Sequence, residues 1–165
     1  MEIQTIESFL KYWRSIRGRT MRVIGEIPPE HLEWTWQEGK FTFGDLARHL
    51  ACTERYMFAE NVCGRPSRYA GHGQDLADGH EAVVAFMERL DAETHELLRA
   101  LPDSRLFERC ETPGGASLPV WKWLRAMVEH ECHHRGQIHL LLSQLGVATT
   151  PLYGLTAEEV EERSV

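Results

Sequence analysis

The sequence predicts an all-α protein folded as an antiparallel four-helix bundle. Apolar residues recur at three- and four-residue steps in four long segments, which is the spacing of an amphipathic helix. Almost no segment shows the period-two alternation of a half-buried strand. Proline and glycine residues separate the four segments, so each predicted helix has a clear end.

The first helix is predicted from about Ile3 to Ile27, and Pro28-Pro29 ends it because proline cannot donate to the helical hydrogen-bond ladder. Apolar side chains line one face of this segment. The basic residues, expected to form a solvated face, are Lys11, Arg14, Arg17, Arg19 and Arg22. The next loop contains Trp34 and Trp36, so we expect it to fold back over the core.

The second helix is predicted to begin after Thr42, whose side chain can act as the N-cap. Asp45, three residues later, would complete a capping box. The helix is predicted to continue to about Cys63, where Gly-Arg-Pro at residues 64–66 ends it. Residues 67–79 are rich in glycine and polar side chains, which indicates a long mobile connection.

The third helix is predicted from about Gly79 to Leu101, with Asp78 as its N-cap. Residues 107–118 should form a loop or a short ribbon. Pro119 then suits the first turn of a fourth helix. That helix should end just before Gly146, because glycine favours the left-handed position that follows many helices.

Composition limits the kind of protein. With 165 residues, 42% of them hydrophobic, the chain can bury the core of one domain. We expect a single domain over residues 1–165 that ends in a short acidic tail at about 155–165. A net charge of −7 argues against nucleic acid as a partner, because a phosphate backbone requires clustered basic residues.

Hydropathy and cysteine usage favour the cytoplasm. No apolar run approaches the ~20 residues that would span a bilayer, so no membrane association is expected. No secretory signal is visible at the start of the sequence. The four cysteines contain no Cys-x-x-Cys pair, and a chain of this size does not need disulfides, so we expect reduced thiols.

The fourth helix carries two histidines that could share a metal ion. His130 and His134 are four residues apart, so both imidazoles lie on one helix face. Met127 and Gln137 extend that face, which we expect to be largely buried. A third donor is needed, and His49 on the second helix is the candidate because facing helices supply ligands to a bundle interior. Three imidazoles leave coordination positions open, as catalytic sites do.

Several neighbours of these histidines are candidate pocket residues. Asp45, one turn before His49, could orient the imidazole of His49. Gln137, one turn after His134, could contact a water or a substrate. Cys52 is either a buried structural thiol or a fourth ligand that would close the site.

Three charged residues have alternative interpretations. Arg48 and Arg135 could hold a carboxylate of a substrate or of a thiol cosubstrate, or could be helix-surface residues. Glu131 is a second candidate for a fourth ligand. Glu131 could also be the general base of a zinc protease, because residues 130–134 match His-Glu-x-x-His. The downstream ligand and the substrate-binding strands of such proteases are missing, so this remains a minor alternative.

The same residues resemble the DinB/YfiT family. The resemblance lies in Lys40-Phe41-Thr42 leading to His49, and in the His-x-x-x-His-Arg-Gly-Gln string at residues 130–137. Leu145-Gly146 at the end of the last helix and the Pro/Tyr tail support it, so that it covers nearly the whole chain.

The resemblance implies a four-helix bundle, often dimeric, in which His49, His130 and His134 bind zinc, nickel, iron or manganese. Some members of the family are thiol transferases that use bacillithiol, mycothiol or glutathione, and others are inferred to be metal-dependent hydrolases. The family name refers to induction by DNA damage, a stress response. We therefore expect a homodimer in which a divalent ion activates a low-molecular-weight thiol against a small electrophile. Metal-dependent hydrolysis and a non-catalytic metal-binding dimer remain as alternatives.

Overall fold

A computed structural model describes residues 3–164; Met1, Glu2 and Val165, which the predicted domain includes, lie outside the described residues. The bundle helices are α1 (Ile6–Gly25), α2 (Phe43–Thr53) with its continuation α3 (Ala59–Val62), α4 (His80–Arg99) and α5 (Val120–Gln144). An antiparallel ribbon of β1 (Arg109–Glu111) and β2 (Ser117–Pro119) precedes α5, and α6 (Ala157–Arg163) follows it. The predicted all-α four-helix bundle is confirmed.

The second bundle helix is continuous but not regular. It begins as predicted, because the Thr42 side chain accepts a hydrogen bond from the backbone of Asp45 and the Asp45 carboxylate accepts one from the backbone of Thr42. A π-helical turn at Glu54–Phe58 joins α2 to α3. Such wide turns are rare in α-helices and are frequent at functional sites.

Two groups of buried apolar residues show how the helices run. One group combines the C-terminal halves of α1 and α5 with the N-terminal halves of α2 and α4. The other group combines the opposite halves of the same helices. α1 and α5 therefore run in one direction, and α2 and α4 in the other. Since α1 and α2 each pack against α4 and α5, every bundle helix has one antiparallel and one parallel neighbour, so the bundle is not antiparallel throughout, contrary to the sequence prediction.

The parallel course of α2 and α4 requires a connection that spans the bundle, because α3 ends at one end of the bundle and α4 begins at the other. Residues 63–79, here called the crossover segment, make this connection. It is long, as predicted. Arg48 of α2 fixes it to the bundle by donating hydrogen bonds to the backbone carbonyls of His72 and Ala77.

The N-terminus of α4 differs from the prediction. Asp78 is not its N-cap: Gly79 takes that position with a φ of 88°, a conformation that glycine adopts without strain. The side chain of Asp78 instead accepts a hydrogen bond from the amide of Gln74.

Arg17 does not lie on a solvated face, contrary to the sequence prediction. Its side chain is only 4% exposed and points into the bundle, where it forms ion pairs with the buried carboxylates of Glu54 and Glu131. Asp91 of α4 lies 3.7 Å from the same guanidinium. The charge is buried because its partners come from the neighbouring helices.

The C-terminal end of α5 is as predicted. Gly146 has a φ of 71°, and its N–H donates to the carbonyl of Ser143, which closes the helix. The acidic tail forms α6, which begins with a capping box between Thr156 and Glu159. Within residues 3–164, none of the helices combines the length and the apolar character needed to cross a bilayer.

Candidate metal centre

Three imidazoles meet where α2 and α5 pack together. Nε2 of His130 lies 3.1 Å from Nε2 of His49 and 3.1 Å from Nε2 of His134. Within residues 3–164, this is the one group of three or more histidine, cysteine or acidic side chains close enough to hold a metal ion together.

All three histidines are neutral at neutral pH. Burial lowers the pKa of His49 to about 3 and that of His130 to about 4, and the neighbouring histidines lower both pKa values further. Burial also lowers the pKa of His134, although its hydrogen bond with Gln137 opposes this shift. A neutral imidazole keeps a lone pair on one nitrogen, which is the form that binds a metal.

Hydrogen bonds at the outer nitrogens set the orientation of two of the rings. Nδ1 of His134 lies 2.6 Å from Oε1 of Gln137. Because an amide oxygen can only accept, Nδ1 carries the proton and Nε2 keeps the lone pair. Nδ1 of His49 lies 2.8 Å from the hydroxyl of Tyr69, which itself lies 2.7 Å from Nδ1 of His72. Burial raises the pKa of Tyr69 to about 12, so this hydroxyl keeps its proton.

Sequence reasoning missed Tyr69 and His72 because both lie in the crossover segment, which reads as a polar connection. The one local signal is an aromatic hydroxyl and an imidazole three residues apart in a stretch of otherwise small residues. Phe41, in the loop before α2, packs against the same group. Its ring centroid is 5.6 Å from that of His49 and 4.2 Å from that of His72.

Asp45 does not orient His49, contrary to expectation. Its carboxylate caps the N-terminus of α2 at Thr42 and accepts a hydrogen bond from Arg48 at 3.1 Å. Burial raises the pKa of Asp45, but the hydrogen bonds from Thr42 and Arg48 outweigh burial and lower the pKa overall. Asp45 therefore caps the N-terminus of α2, and the hydroxyl of Tyr69 is the group that contacts Nδ1 of His49.

Neither arginine considered for substrate binding faces the three histidines. Arg48 is completely buried and forms an ion pair with Glu33 at 2.8 Å. Arg135 is also buried and donates a hydrogen bond to the backbone carbonyl of Ile16 at 3.2 Å. Because protein groups bind both guanidinium groups, Arg48 holds loops against α2 and Arg135 joins α5 to α1.

The remaining candidates lie in the hydrophobic core rather than at the site. Cys52 is buried in one apolar cluster and Met127 in the other. Burial raises the pKa of Cys52 to about 11, so this thiol stays protonated at neutral pH. Neither side chain is among the residues that line the cavity beside His134, and Cys52 does not supply a fourth ligand to the three histidines.

Glu131 is not placed to act as a general base. Its carboxylate is buried and lies 3.2 Å from the guanidinium of Arg17 on α1. A base in a zinc protease must instead reach a water beside the metal. The zinc-protease alternative therefore has no support in the geometry, and Glu131 does not join the three histidines as a ligand.

A cavity of about 630 Å³ opens beside His134. Its lining is mostly apolar and includes side chains from the loop before α2, from α2 and from α5. The lining residues are Trp36, Gly39, Lys40, Phe41, Leu46, His134, Gln137, Leu140, Leu141 and Gln144. A concave apolar surface with a few polar groups is typical of small-molecule sites.

The donors present fit one divalent metal ion. When several nitrogens bind the same Zn²⁺ ion at about 2.0–2.1 Å, they lie roughly 3 Å from one another. The two separations that involve Nε2 of His130, both 3.1 Å, are close to this spacing, and a cation would relieve the repulsion between the inward-facing lone pairs. Imidazole also suits nickel and iron, so the donor set does not select one metal.

The molecule is thus a four-helix bundle with a three-histidine group that could bind a metal beside an apolar cavity. The chain belongs to the DinB family, whose model matches residues 1–164. The family resemblance seen in the sequence is confirmed.

Solved structures of the same fold include a DinB-like protein from Bacillus cereus ATCC 10987, with a TM-score of 0.75 and 22% identity over 90% of this chain and 97% of that one. YfiT from Bacillus subtilis, described as a probable metal-dependent hydrolase with an unusual four-helix-bundle topology, matches with a TM-score of 0.69 and 15% identity, covering 87% and 89%. A mycothiol-dependent maleylpyruvate isomerase matches with a TM-score of 0.65 and 16% identity, covering 81% of this chain and 60% of the isomerase.

Proposed function

We propose that this protein is a metal-dependent enzyme that activates a low-molecular-weight thiol for attack on a small electrophile, with His49, His130 and His134 as the metal ligands. The observation that carries the proposal is the convergence of three neutral Nε2 atoms beside an apolar cavity. A divalent ion bound there supplies the positive charge that lowers the pKa of a thiol or water into the neutral range.

The chain's own residues would hold the metal and exclude water. Gln137 and Tyr69 orient two of the imidazoles through their Nδ1 atoms. Within residues 3–164, no cysteine or carboxylate joins the three histidines. The protein therefore leaves coordination positions for an exogenous ligand, as catalytic sites do. The apolar side chains of Phe41 and Leu141 line the space that a substrate would occupy.

A thiol is favoured as the nucleophile on two grounds. The isomerase of the same fold is described as mycothiol-dependent, and we extend a thiol of that kind (bacillithiol, mycothiol or glutathione) to this chain as a proposal. Neither Cys52 nor Cys132, the two thiols nearest in sequence to the ligands, joins the three histidines, so a reactive sulfur would come from outside. Lys40, the one charged side chain in the described cavity lining, would attract a carboxylate of such a thiol.

Hydrolysis is the second candidate, supported by the description of YfiT as a probable metal-dependent hydrolase. The same site would then activate water. A non-catalytic metal-binding role fits less well, because a structural site is expected to be closed by a fourth protein ligand. The single domain over the whole chain, the homodimer, the link to stress response and the cytoplasmic location remain predictions.

Two experiments test the proposal: the metal content is measured first, and thiol transfer is assayed afterwards. Purified protein should carry one divalent ion per chain by elemental analysis, and His49→Ala should lose it. His139→Ala is the matched control. His139 lies on the same helix as two of the ligands, but its Nε2 forms a hydrogen bond with Thr149 and not a contact with the other histidines. Metal-free wild-type protein should also gain thermal stability when zinc or nickel is added.

The metal-loaded protein is then given 1-chloro-2,4-dinitrobenzene with bacillithiol, mycothiol or glutathione. In this reaction the thiol sulfur bonds to the ring carbon, the thiol proton goes to solvent and chloride leaves. Faster loss of thiol with wild-type protein than with His49→Ala supports thiol transfer. Faster cleavage of p-nitrophenyl acetate without thiol supports hydrolysis instead. A protein without metal that also fails to bind added zinc, nickel, iron or manganese would overturn both functions.

A further inference from the structure

We infer that the crossover segment is part of the metal centre: Tyr69, held by His72, fixes His49 in the tautomer that presents Nε2 to the metal. The inference rests on the proposed metal-binding role of His49. It assigns a positioning role to two residues that lie in a connecting segment and are not members of the three-histidine group.

The hydrogen-bond chain determines where the protons lie when His49 binds a metal. Nε2 must then be free of hydrogen, so the proton of His49 is on Nδ1 and is donated to the Tyr69 oxygen at 2.8 Å. The tyrosine hydroxyl has a single hydrogen, which is left to point at Nδ1 of His72 at 2.7 Å. His72 therefore accepts at Nδ1 and carries its own proton on Nε2.

The opposite direction of donation would block the site. If Tyr69 donated to His49, the proton of His49 would lie on Nε2 and point at Nε2 of His130, 3.1 Å away. When the proton of His72 is on Nε2, its Nδ1 offers the tyrosine hydrogen another acceptor and prevents this outcome. Its acceptor nitrogen is thus what makes Tyr69 an acceptor toward His49.

Three contacts hold the hydrogen-bonded residues His49, Tyr69 and His72 in place. The Tyr69 ring stands edge-on to the His49 ring, with centroids 5.5 Å apart and an interplanar angle of 89°. The His72 ring packs on Phe41 with centroids 4.2 Å apart. The backbone carbonyl of His72 accepts a hydrogen bond of 2.9 Å from Arg48, one residue before His49 in α2.

The two orienting groups differ in origin. His134 is oriented by Gln137 from its own helix, three residues away. His49 is oriented by a residue 20 positions away, which reaches it because the crossover segment must travel along the bundle. Metal affinity is therefore coupled to the position of that segment.

Zinc affinity measured by competition with a chromogenic chelator tests this coupling. Tyr69→Phe keeps the ring and removes the hydroxyl, and we expect zinc to bind about 10- to 100-fold more weakly, as for other groups that orient a ligand histidine. His72→Phe keeps a ring against Phe41 but removes the acceptor of the tyrosine hydrogen, so zinc should bind more weakly, although the loss should be smaller than in Tyr69→Phe because the Tyr69 oxygen remains. Tyr56→Phe is the control, because Tyr56 contacts the same segment through the guanidinium of Arg68 rather than through a ligand histidine.

A second measurement does not depend on metal. ¹⁵N chemical shifts of histidine in the metal-free protein distinguish the Nδ1–H from the Nε2–H form. We expect Nδ1–H for His49 in the wild type and a shift toward Nε2–H in Tyr69→Phe, which a merely structural role for Tyr69 would not produce. An Nε2–H form in the wild type, or unchanged zinc affinity in Tyr69→Phe, would overturn the inference alone. A wild type that binds no metal would overturn the proposed function and this inference together.

Discussion

The guanidinium of Arg17 lies 3.2 Å from the carboxylate of Glu131, and both side chains are almost completely buried. The same guanidinium contacts Glu54 in the π-helical turn and lies 3.7 Å from Asp91 of α4. One cation on α1 therefore compensates negative charge from each of the other three bundle helices.

Replacing Arg17 should destabilise the fold strongly. Arg17→Leu leaves buried carboxylates at Glu54 and Glu131 without compensation, and we expect the free energy of unfolding to fall by about 3–5 kcal/mol. Urea unfolding of the metal-free protein measures this change. Arg14→Leu, at an exposed position of the same helix, should change the free energy of unfolding by no more than about 0.5 kcal/mol. Similar losses in the two variants would contradict the assignment.

A side chain at Gly44 should destabilise the fold, because an added Cβ would lie 2.5 Å from Oε1 of Glu33 and 2.8 Å from a guanidinium nitrogen of Arg48. These atoms belong to the Glu33–Arg48 ion pair, which an added Cβ would displace. Gly44→Ala should lower the free energy of unfolding by about 1–3 kcal/mol. Gly18→Ala has open space around its Cβ and should raise stability by about 0.5–1 kcal/mol through helix propensity. Thermal melts of both variants test the prediction, which fails if the two changes have the same sign.

Gln137 should matter for metal binding and Gln144 should not. Both line the cavity, but Gln137 also accepts the Nδ1 hydrogen bond of His134 at 2.6 Å. Gln137→Leu should weaken zinc binding about 10- to 100-fold, whereas Gln144→Leu should leave it unchanged. Isothermal titration of the metal-free proteins with zinc separates the two variants. Equal affinities would mean that His134 does not depend on this hydrogen bond.

The metal-free protein should lose stability as the pH falls from about 6.5 to about 4. The unfolded chain protonates its histidines near 6.5, whereas burial lowers the pKa of His49 to about 3 and that of His130 to about 4 in the fold. Between these values the unfolded chain binds more protons, so acid favours unfolding. Urea midpoints at several pH values measure the effect. A double variant with His49→Gln and His130→Gln should show a shallower dependence, and an equal slope would contradict the prediction.

The parts of the structure that the sequence predicts well depend on residues that are close together in the sequence. The capping box of Thr42 and Asp45 and the helix end at Gly146 are set by local backbone geometry, so a short motif is sufficient. The pairing of His130 with His134 follows from the helix period alone. His49 required a further argument, that helices facing one another share a bundle interior, and the family resemblance.

The parts that could not be predicted depend on contacts between distant residues. Arg17 looks like a surface residue until Glu54 and Glu131, 37 and 114 positions away, are seen to enclose it. The contact of Tyr69 with His49 depends on the course of the crossover segment, which in turn depends on the parallel arrangement of α2 and α4. No local pattern in residues 67–79 encodes that arrangement.

The π-helical turn at Glu54–Phe58 bears on how this helix compares with those of related chains. A regular α-helix rotates about 100° per residue, so Phe58, nine positions after His49, would face the opposite side. Both side chains nevertheless lie against His130, with ring centroids 5.0 and 5.7 Å away. The turn therefore absorbs one inserted residue without rotating either half of the helix. An alignment with a relative that has a regular helix should place a one-residue gap here, while the histidines on both sides of it remain in register.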